Sequence, residues 1–303
     1  MKIAVVGDCT LDVTVGPPGP KSAGDRRARI TLGPGGQGAN VAVRLARAGI
    51  RVRLVTPLAH DPAGALLRGH LERESLEVAA LAASRTSLVV VLVANGGVRS
   101  MISDRVPADE DVGAALRDCD WIHLSGYLLR GSREAERVVA AVRASGVDGV
   151  SVAGGSFEGW TDASVARDSI AAIGCRLLVV NRDEAGLLLR DPMRTAAEAA
   201  AALGTPDRLA VVTDGRRGSA AAGAAVVRTL VQAASSTDQP SIDTTGAGDA
   251  FTASLLADLV PGWPPEPETV ASALERAALA GAAATTAMGA QAPTGSTAAD
   301  RRR

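Results

Sequence analysis

Short runs of β-branched and aliphatic residues alternate along the chain with longer stretches in which apolar residues recur at helical spacing. The short runs predict buried strands at residues 3–6, 52–56, 121–124, 147–152, 177–180 and 209–213. The longer stretches predict helices at residues 38–48, 63–73, 132–144, 196–203, 250–259 and 269–288. Strands and helices that alternate in this order favour an α/β fold, in which helices flank a mostly parallel central sheet.

Two segments interrupt this alternation. Residues 11–32 are rich in Gly, Pro and charged residues, and residues 87–104 contain two apolar runs joined by Asn95-Gly96-Gly97, a typical hairpin turn. A hairpin and an extended strand between strand–helix units predict a small β lid. We therefore expect one domain at residues 1–294, with lid segments at about 12–34 and 87–104, and a flexible polar tail at residues 295–303.

Composition narrows the class of protein. The 32 basic and 33 acidic residues nearly cancel, which argues against nucleic acid or an anionic membrane as a partner. No uninterrupted run of about 18 apolar residues predicts a membrane span, and the first apolar run is too short for a signal peptide. Cys9, Cys119 and Cys175 form no C-x-x-C pair, which favours reduced thiols and a cytoplasmic location.

Residues 33–38 match the pattern G-x-G-x-x-G, which has three interpretations. A dinucleotide site is disfavoured, because the predicted strand at residues 3–6 ends well before the glycines and the strand at 52–56 is not followed by a carboxylate. A flexible turn that leads into a helix remains open. The third interpretation is a ligand-binding hinge at Gly35 and Gly36, with the Asn40 amide able to bridge two hydroxyl groups.

The segment 243–249 places small residues at the start of a predicted helix. Gly246, Ala247 and Gly248 leave the backbone N–H groups open to an anion, which the helix dipole also favours. Asp249 then provides either a favourable charge at the helix start or a base beside that anion. Phosphate transfer to a hydroxyl group needs both an anion site and a base. No G-x-x-x-x-G-K-[ST] motif is present, so a P-loop is excluded.

Residues 35–42 and 243–249 resemble the two signature motifs of the ribokinase-like PfkB carbohydrate kinase family. The resemblance extends over nearly the whole chain, from Gly7-Asp8 to Gly289-Ala290-Gln291. It implies a ribokinase-like three-layer α/β fold with a β lid over the sugar. It also implies an ATP-dependent phosphotransferase with an alcohol acceptor, which uses ATP and Mg²⁺ and in some cases K⁺.

The same resemblance implies roles for individual residues. Asp249 matches the catalytic base, and the amides of Gly246, Ala247 and Gly248 match the anion hole for the transferred phosphate. The substrate positions are Asp12, Gly35, Gly36 and Asn40. The ATP positions are Asn181, Thr213, Gly215 and Gly218. Glu184 matches a residue that holds Mg²⁺ through water, and a monovalent-cation site is implied at Asp243, Thr245, Ala284, Ala287 and Gly289.

Two positions depart from the family pattern. The turn Ala153-Gly154-Gly155 stands where many relatives have an acidic or Asn-containing turn, which puts the usual phosphate-side contacts in doubt. Gln37 stands where many relatives have lysine, so the site offers an amide instead of a charge, which disfavours a phosphosugar. Arg99 and Arg105 leave an acidic sugar open.

The resulting hypothesis is transfer of the γ-phosphate of MgATP to a primary hydroxyl of a small ribose-, fructose- or keto-deoxy-sugar-like substrate. A nucleoside kinase of the same family is the first alternative, although the 2% aromatic content offers little for purine stacking. A non-catalytic sugar or nucleotide sensor on the same fold is the second. The resemblance also allows a homodimer that forms through the lid.

Overall fold

The computed structural model describes residues 1–17, 19, 27–93, 99–155, 163–224 and 226–292. In this part of the chain, two sheets contain the strands β1 (Lys2–Val6), β2 (Thr10–Val15), β3 (Ile30–Gly35), β4 (Arg51–Pro57), β5 (Glu77–Leu81), β6 (Ser87–Val93), β7 (Arg99–Asp104), β8 (Trp121–Ser125), β9 (Val150–Ala153), β10 (Leu177–Asn181), β11 (Leu209–Thr213), β12 (Ser219–Gly223) and β13 (Val226–Gln232). The helices are α1 (Gln37–Arg47), α2 (Pro62–Leu71), α3 (Gly113–Leu116), α4 (Ser132–Ser145), α5 (Ser164–Ala172), α6 (Arg182–Leu189), α7 (Ala196–Leu203), α8 (Ala247–Leu259) and α9 (Pro267–Ala284).

The larger sheet has the strand order β13-β12-β11-β10-β9-β8-β1-β4-β5. Its strands run parallel from β11 to β5, and β12 and β13 continue one edge in antiparallel pairing. Helices cover both faces. Leu45 of α1, Leu255 of α8 and Leu274 of α9 belong to one buried apolar cluster. Val138 of α4 and Leu188 of α6 belong to the other. The predicted α/β fold with a mostly parallel sheet is confirmed.

The smaller sheet is the lid, with the strand order β3-β2-β6-β7. It joins two chain segments, because β2 pairs in parallel with β6. Pro34 lies in β3, an edge strand, which is where a sheet tolerates a residue that lacks an N–H group. The lid brings Asp12 of β2 opposite Gly33 of β3. It therefore supplies the site with side chains from the Gly- and Pro-rich segment.

Several bounds differ from the prediction. The strand predicted at 147–152 begins at Val150, and the helix predicted at 269–288 ends at Ala284. The first lid strand begins at Thr10, two residues before the predicted lid segment. Strands β5, β12 and β13 were not predicted, because β5 and β12 are rich in Ala, a weak strand former, and Arg228 and Thr229 divide the apolar residues of β13. The turn at 95–97 and the tail at 295–303 lie outside the described residues, and the single domain over 1–294 stays a prediction.

The described helices include none that is both long and apolar enough to cross a membrane. His123 is fully buried in β8, where its Nδ1 lies 2.9 Å from the hydroxyl oxygen of Ser151. Burial lowers the pKa of His123 to about 3. This histidine is therefore a neutral core residue.

Candidate active site

The carboxyl ends of the parallel strands meet at one edge of the larger sheet, where ligands bind in open α/β folds. Asn181 at the end of β10 lies directly beside Thr213 at the end of β11. Ser125 at the end of β8 lies beside Ala153 at the end of β9. Most of the site residues that the sequence predicts lie at this edge or on the helices that start there.

Asp249 lies in the first turn of α8, whose first residue is Ala247 and whose N-cap is Gly246. Its Oδ2 accepts a 2.7 Å hydrogen bond from Nδ2 of Asn40 on α1. Burial raises the pKa of Asp249 to about 6, although the Asn40 hydrogen bond and the charges of Arg44 and Arg105 act in the opposite direction. A carboxyl group with this pKa is well suited to accept a proton near neutral pH.

Asp12 faces the same region from the lid. The Thr10 hydroxyl donates a 2.6 Å hydrogen bond to Oδ1 of Asp12, while burial raises the pKa of this carboxyl group to about 6. Gly35 packs so closely that an added Cβ would lie 2.2 Å from Oδ2 of Asp12. The next residue, Gly36, has φ 93° and leads into α1 and Asn40. The four predicted substrate positions are thus neighbours in the structure.

Two cavities meet beside Asp249. One, of about 520 Å³, is lined by Asp249, Gly246, Gly248 and Glu184, among others. The other, of about 680 Å³, is lined by predicted ATP positions, by the polar loop that follows β13 and by small residues of α9. Residues shared by both cavities are Thr213, Thr244 and Gly248. A nucleotide in the larger cavity could therefore direct its phosphates past the start of α8 toward Asp249.

Asn181 and Glu184 form a capping box at the start of α6. The Glu184 amide donates to Oδ1 of Asn181 at 2.8 Å, and the Asn181 amide donates to Oε2 of Glu184 at 2.9 Å. Both residues also line the cavity beside Asp249, and Glu184 is only 6% exposed. The pattern N-x-x-E thus caps the helix and also presents a buried carboxylate to the cavity.

The donor set fits a magnesium ion held largely by other ligands. In the described part of the chain, no three His, Cys, Asp or Glu side chains cluster as they would in an all-protein metal site. Mg²⁺ ordinarily keeps several waters and takes further oxygens from substrate phosphates. A single buried carboxylate such as Glu184 is compatible with that mode.

The two departures from the family pattern have a packing explanation. An added Cβ at Gly154 would lie 1.8 Å from Oε2 of Glu184, so a side chain at this turn would displace the buried carboxylate. Gln37 is engaged with the protein at both ends of its amide. The Ser125 hydroxyl donates to Oε1 of Gln37 at 2.5 Å, and Nε2 of Gln37 donates to the Gly154 carbonyl. Gln37 therefore ties the start of α1 to two strand ends.

The loop before α8 lies against the end of α9. Oδ1 of Asp243 accepts hydrogen bonds from the Thr245 amide and hydroxyl, at 2.9 and 2.7 Å. Oδ2 of Asp243 accepts from the Gly289 amide at 2.9 Å. Three of the five residues expected to surround a monovalent cation, Asp243, Thr245 and Gly289, are therefore joined through the Asp243 carboxylate.

Three residues at the site were missed in the assignment of roles from the sequence. Asp8 forms an ion pair with Arg105, which lies 3.7 Å above the ring centroid of Tyr127. Tyr127 also lines the cavity beside Asp249. Gln291 reaches Asn40 from the far end of the chain, with its Nε2 2.9 Å from Oδ1 of Asn40. Asp8 could have been found from the sequence, because it is a carboxylate just after the first predicted strand. No local pattern indicated Tyr127 or Gln291.

Residues that can surround a nucleotide phosphate thus face a carboxylate that can accept a proton, as phosphoryl transfer to a hydroxyl group requires. The sequence profile described as pfkB family carbohydrate kinase matches residues 1–297. The chain therefore belongs to the pfkB family of carbohydrate kinases, and it is an ATP-dependent sugar kinase. The predicted enzyme class is confirmed.

Individual relatives agree with this assignment. A fructokinase from Klebsiella pneumoniae is 30% identical in an alignment of 322 positions that covers 95% of this chain and 94% of the relative. A solved ribokinase from Giardia lamblia has the same fold, with a TM-score of 0.78 at 18% identity and 96% coverage of both chains. An adenosine kinase from Sinorhizobium meliloti has a TM-score of 0.79 at 18% identity, covering 96% of this chain and 95% of that one.

Proposed function

We propose that the protein phosphorylates a primary hydroxyl group of a small ketose- or furanose-like sugar, with Asp249 as the general base. The observation that carries this proposal is the position of Asp249 in the first turn of α8, where it is hydrogen-bonded to the Asn40 amide and lines the cavity of about 520 Å³. A carboxylate there can take the proton of an acceptor hydroxyl as the oxygen attacks the γ-phosphorus, the bond from that phosphorus to the β,γ-bridging oxygen breaks and ADP leaves. The amides at residues 246–248 would stabilise the charge on the transferred group.

Other residues would bind the sugar, the nucleotide and the metal ion. Asp12, Gly35, Gly36 and Asn40 would hold sugar hydroxyl groups beneath the lid, and Thr213, Gly215 and Gly218 would line the nucleotide site. Asn181 and Glu184 would hold Mg²⁺ through water. The ion neutralises charge on the phosphates when it is bound. Closure of the lid at Gly35 and Gly36 would exclude water, which suppresses transfer of the phosphate to water.

The acceptor we propose first is fructose. The fructokinase from Klebsiella pneumoniae is 30% identical over nearly its whole length, and fructokinases from Salmonella typhimurium and Vibrio alginolyticus are also 30% identical. The residues near the base also favour a neutral sugar. Gln37 carries no charge and is hydrogen-bonded to Ser125 and Gly154, and Arg105 already pairs with Asp8. An anionic substituent would have to compete with these internal partners.

A monovalent cation is proposed beside the anion hole, at the side chains of Asp243 and Thr245 and the carbonyls of Ala284, Ala287 and Gly289. The bonds that join Asp243 to Thr245 and Gly289 support this, because they fix a carboxylate next to the loop that precedes α8. A cation there would stabilise the anion-hole loop electrostatically.

An acceptor panel tests the proposed reaction. Purified protein with MgATP would be assayed for ADP production with fructose, ribose, 2-keto-3-deoxygluconate, adenosine and pseudouridine, with NaCl or KCl at equal ionic strength. We expect fructose to give the highest kcat/KM and KCl to raise kcat. Faster turnover of adenosine or pseudouridine would instead establish the nucleoside kinase. Absence of ADP production with every acceptor would favour the sensor.

We also propose that a second copy of the chain covers the lid. Ile30 and Leu32 on β3 and Ile102 on β7 are 62%, 61% and 63% exposed, which is unusual for a cluster of large apolar residues on one small sheet. Light scattering should give twice the monomer mass of 30.6 kDa, and Ile102→Arg should return it to the monomer value. Leu279→Arg, at an exposed site on α9, is the control that should leave the mass unchanged. A monomeric wild type would exclude the dimer.

A further inference from the structure

A line of side-chain hydrogen bonds leads from Asp249 away from both cavities. Asn40 donates to Asp249 through Nδ2, and its Oδ1 lies 2.9 Å from Nε2 of Gln291. Oε1 of Gln291 lies 2.7 Å from Nε2 of His70 on α2. Asn40 and Gln291 are 4% and 5% exposed, so water can hardly replace these partners. Glu74 lies 3.8 Å from Nε2 of His70 at the outer end.

Which group donates and which accepts in each of these hydrogen bonds follows from the chemistry of Asp249, at the inner end of the line. An ionised carboxylate only accepts hydrogen bonds, so Asn40 must turn its NH₂ group toward Asp249. The carbonyl oxygen of Asn40 then faces Gln291, which must donate its own NH₂ group. The carbonyl oxygen of Gln291 in turn faces His70, which must donate from Nε2. The three donors therefore all point toward Asp249.

The surrounding residues hold Gln291 in place. Arg47 donates to the Gln291 carbonyl at 2.8 Å, and it also forms a paired contact with Glu74 at 2.9 and 2.6 Å. Arg44 donates to the Ala290 carbonyl at 2.6 Å. Ala290 packs against Gly246, where an added Cβ would lie 2.6 Å from the Ala290 Cβ. The segment that carries Gln291 thus contacts the start of the anion hole as well.

We propose that Gln291 and His70 are positioning residues for the base: they fix the orientation of the Asn40 amide so that its NH₂ group faces Asp249. This inference rests on the proposed role of Asp249. Without Gln291, the Asn40 amide could rotate whenever Asp249 is protonated and accept a hydrogen bond from that proton through its oxygen, which would stabilise the neutral form of the base. The base would then be misaligned and harder to ionise, although neither Gln291 nor His70 lines either of the two cavities.

Other charges near Asp249 do not depend on this line of bonds. Arg44 on α1 and Arg105 after β7 favour the ionised form, and Asp12 on the lid disfavours it. At the outer end, His70 faces Glu74, whose carboxylate is paired with Arg47. Because these groups stay in place when Gln291 is replaced, a change in the pH profile would report the lost amide orientation.

The test compares Gln291→Met, His70→Leu and His70→Gln in steady-state assays with MgATP and the panel acceptor of highest kcat/KM. For Gln291→Met and His70→Leu, we expect kcat/KM for the acceptor at pH 7 to fall about tenfold, the size of one lost hydrogen bond to a charged group. The acid limb of the pH profile should move up by about one unit, and KM for MgATP should stay within about twofold. His70→Gln retains an NH₂ donor and should recover most of the activity.

The control is Ser169→Ala, which removes a buried hydroxyl group from α5 without touching the line of bonds. The proposal is overturned if Gln291→Met lowers the melting temperature but leaves kcat/KM and the acid limb unchanged, or if His70→Gln behaves like His70→Leu. His70 is 20% exposed, so its variants carry the test if Gln291→Met does not fold. Failure here would leave the role of Asp249 intact, since Asp249→Asn tests that role separately.

Discussion

Replacing Asp249 with Asn is expected to lower kcat by about 10³-fold while changing KM for both substrates by less than about threefold. The amide has nearly the shape of the carboxyl group, and its oxygen can still accept the hydrogen bond from Asn40. What the variant loses is the capacity to take a proton from the acceptor hydroxyl. An effect confined to kcat is the signature of an interaction made only in the transition state.

Steady-state kinetics of ADP formation with the best acceptor measures this effect. The control is Asp258→Asn on the same helix, because Asp258 pairs with Arg276 at the surface at 2.8 Å and lies outside both cavities. It should retain full turnover. If Asp249→Asn also turned over at a near wild-type rate, the assignment of the base would be wrong.

The pH profile of the wild type provides a second readout of the same assignment. Since burial raises the pKa of Asp249 to about 6, the carboxyl group becomes protonated as the pH falls through that value. Only the ionised form can accept a proton, so kcat/KM should fall below about pH 6. Asp12 has its pKa raised to about 6 as well, so the limb reports both carboxyl groups. Asp12→Asn would leave the Asp249 contribution in place.

The parts of the structure that were predictable depend on local signals. The buried parallel strands are continuous aliphatic runs, and the helices between them have clear apolar spacing. Asp249 could be predicted because small residues and a carboxylate stand together at the start of a helix. Asn181 and Glu184 could be predicted because they are three residues apart at the end of a strand. The chemistry of these motifs is contained in a few adjacent residues, and a single sequence shows it.

What could not be predicted depends on distant contacts. Gln291 meets Asn40 across 251 positions, and only the contact of the segment after α9 with α1 brings them together. Strand β3 contains Gly-Pro-Gly and forms because β2 provides a partner. From the sequence, the turn at Gly154 put the usual contacts on the phosphate side of the site in doubt. It proved to be space for Glu184, which a motif comparison cannot show because the two residues belong to different strand ends.

Gly154→Ala is the second substitution for which we expect a large effect. The new methyl group would lie 1.8 Å from Oε2 of Glu184, so the carboxylate would have to leave its buried position. Its bond to the Asn181 amide would be lost with it. If Glu184 holds Mg²⁺ through water, activity should fall by about 10- to 100-fold, the usual cost of disturbing an outer-shell metal partner. KM for MgATP should rise, and KM for the sugar should change less.

A double-mutant cycle decides whether the effect passes through Glu184. Glu184→Ala alone should reproduce the loss, and adding Gly154→Ala to it should cost little more, because the carboxylate that the methyl group displaces is already gone. Gly69→Ala, at a helical glycine with open space around its Cβ position, is the steric control and should leave the activity unchanged. Additive losses would mean that Gly154 acts through the backbone at Gly155 and Tyr127 instead. In that case the glycine turn would serve the acceptor side of the site, and the link between this turn and the metal would have to be abandoned.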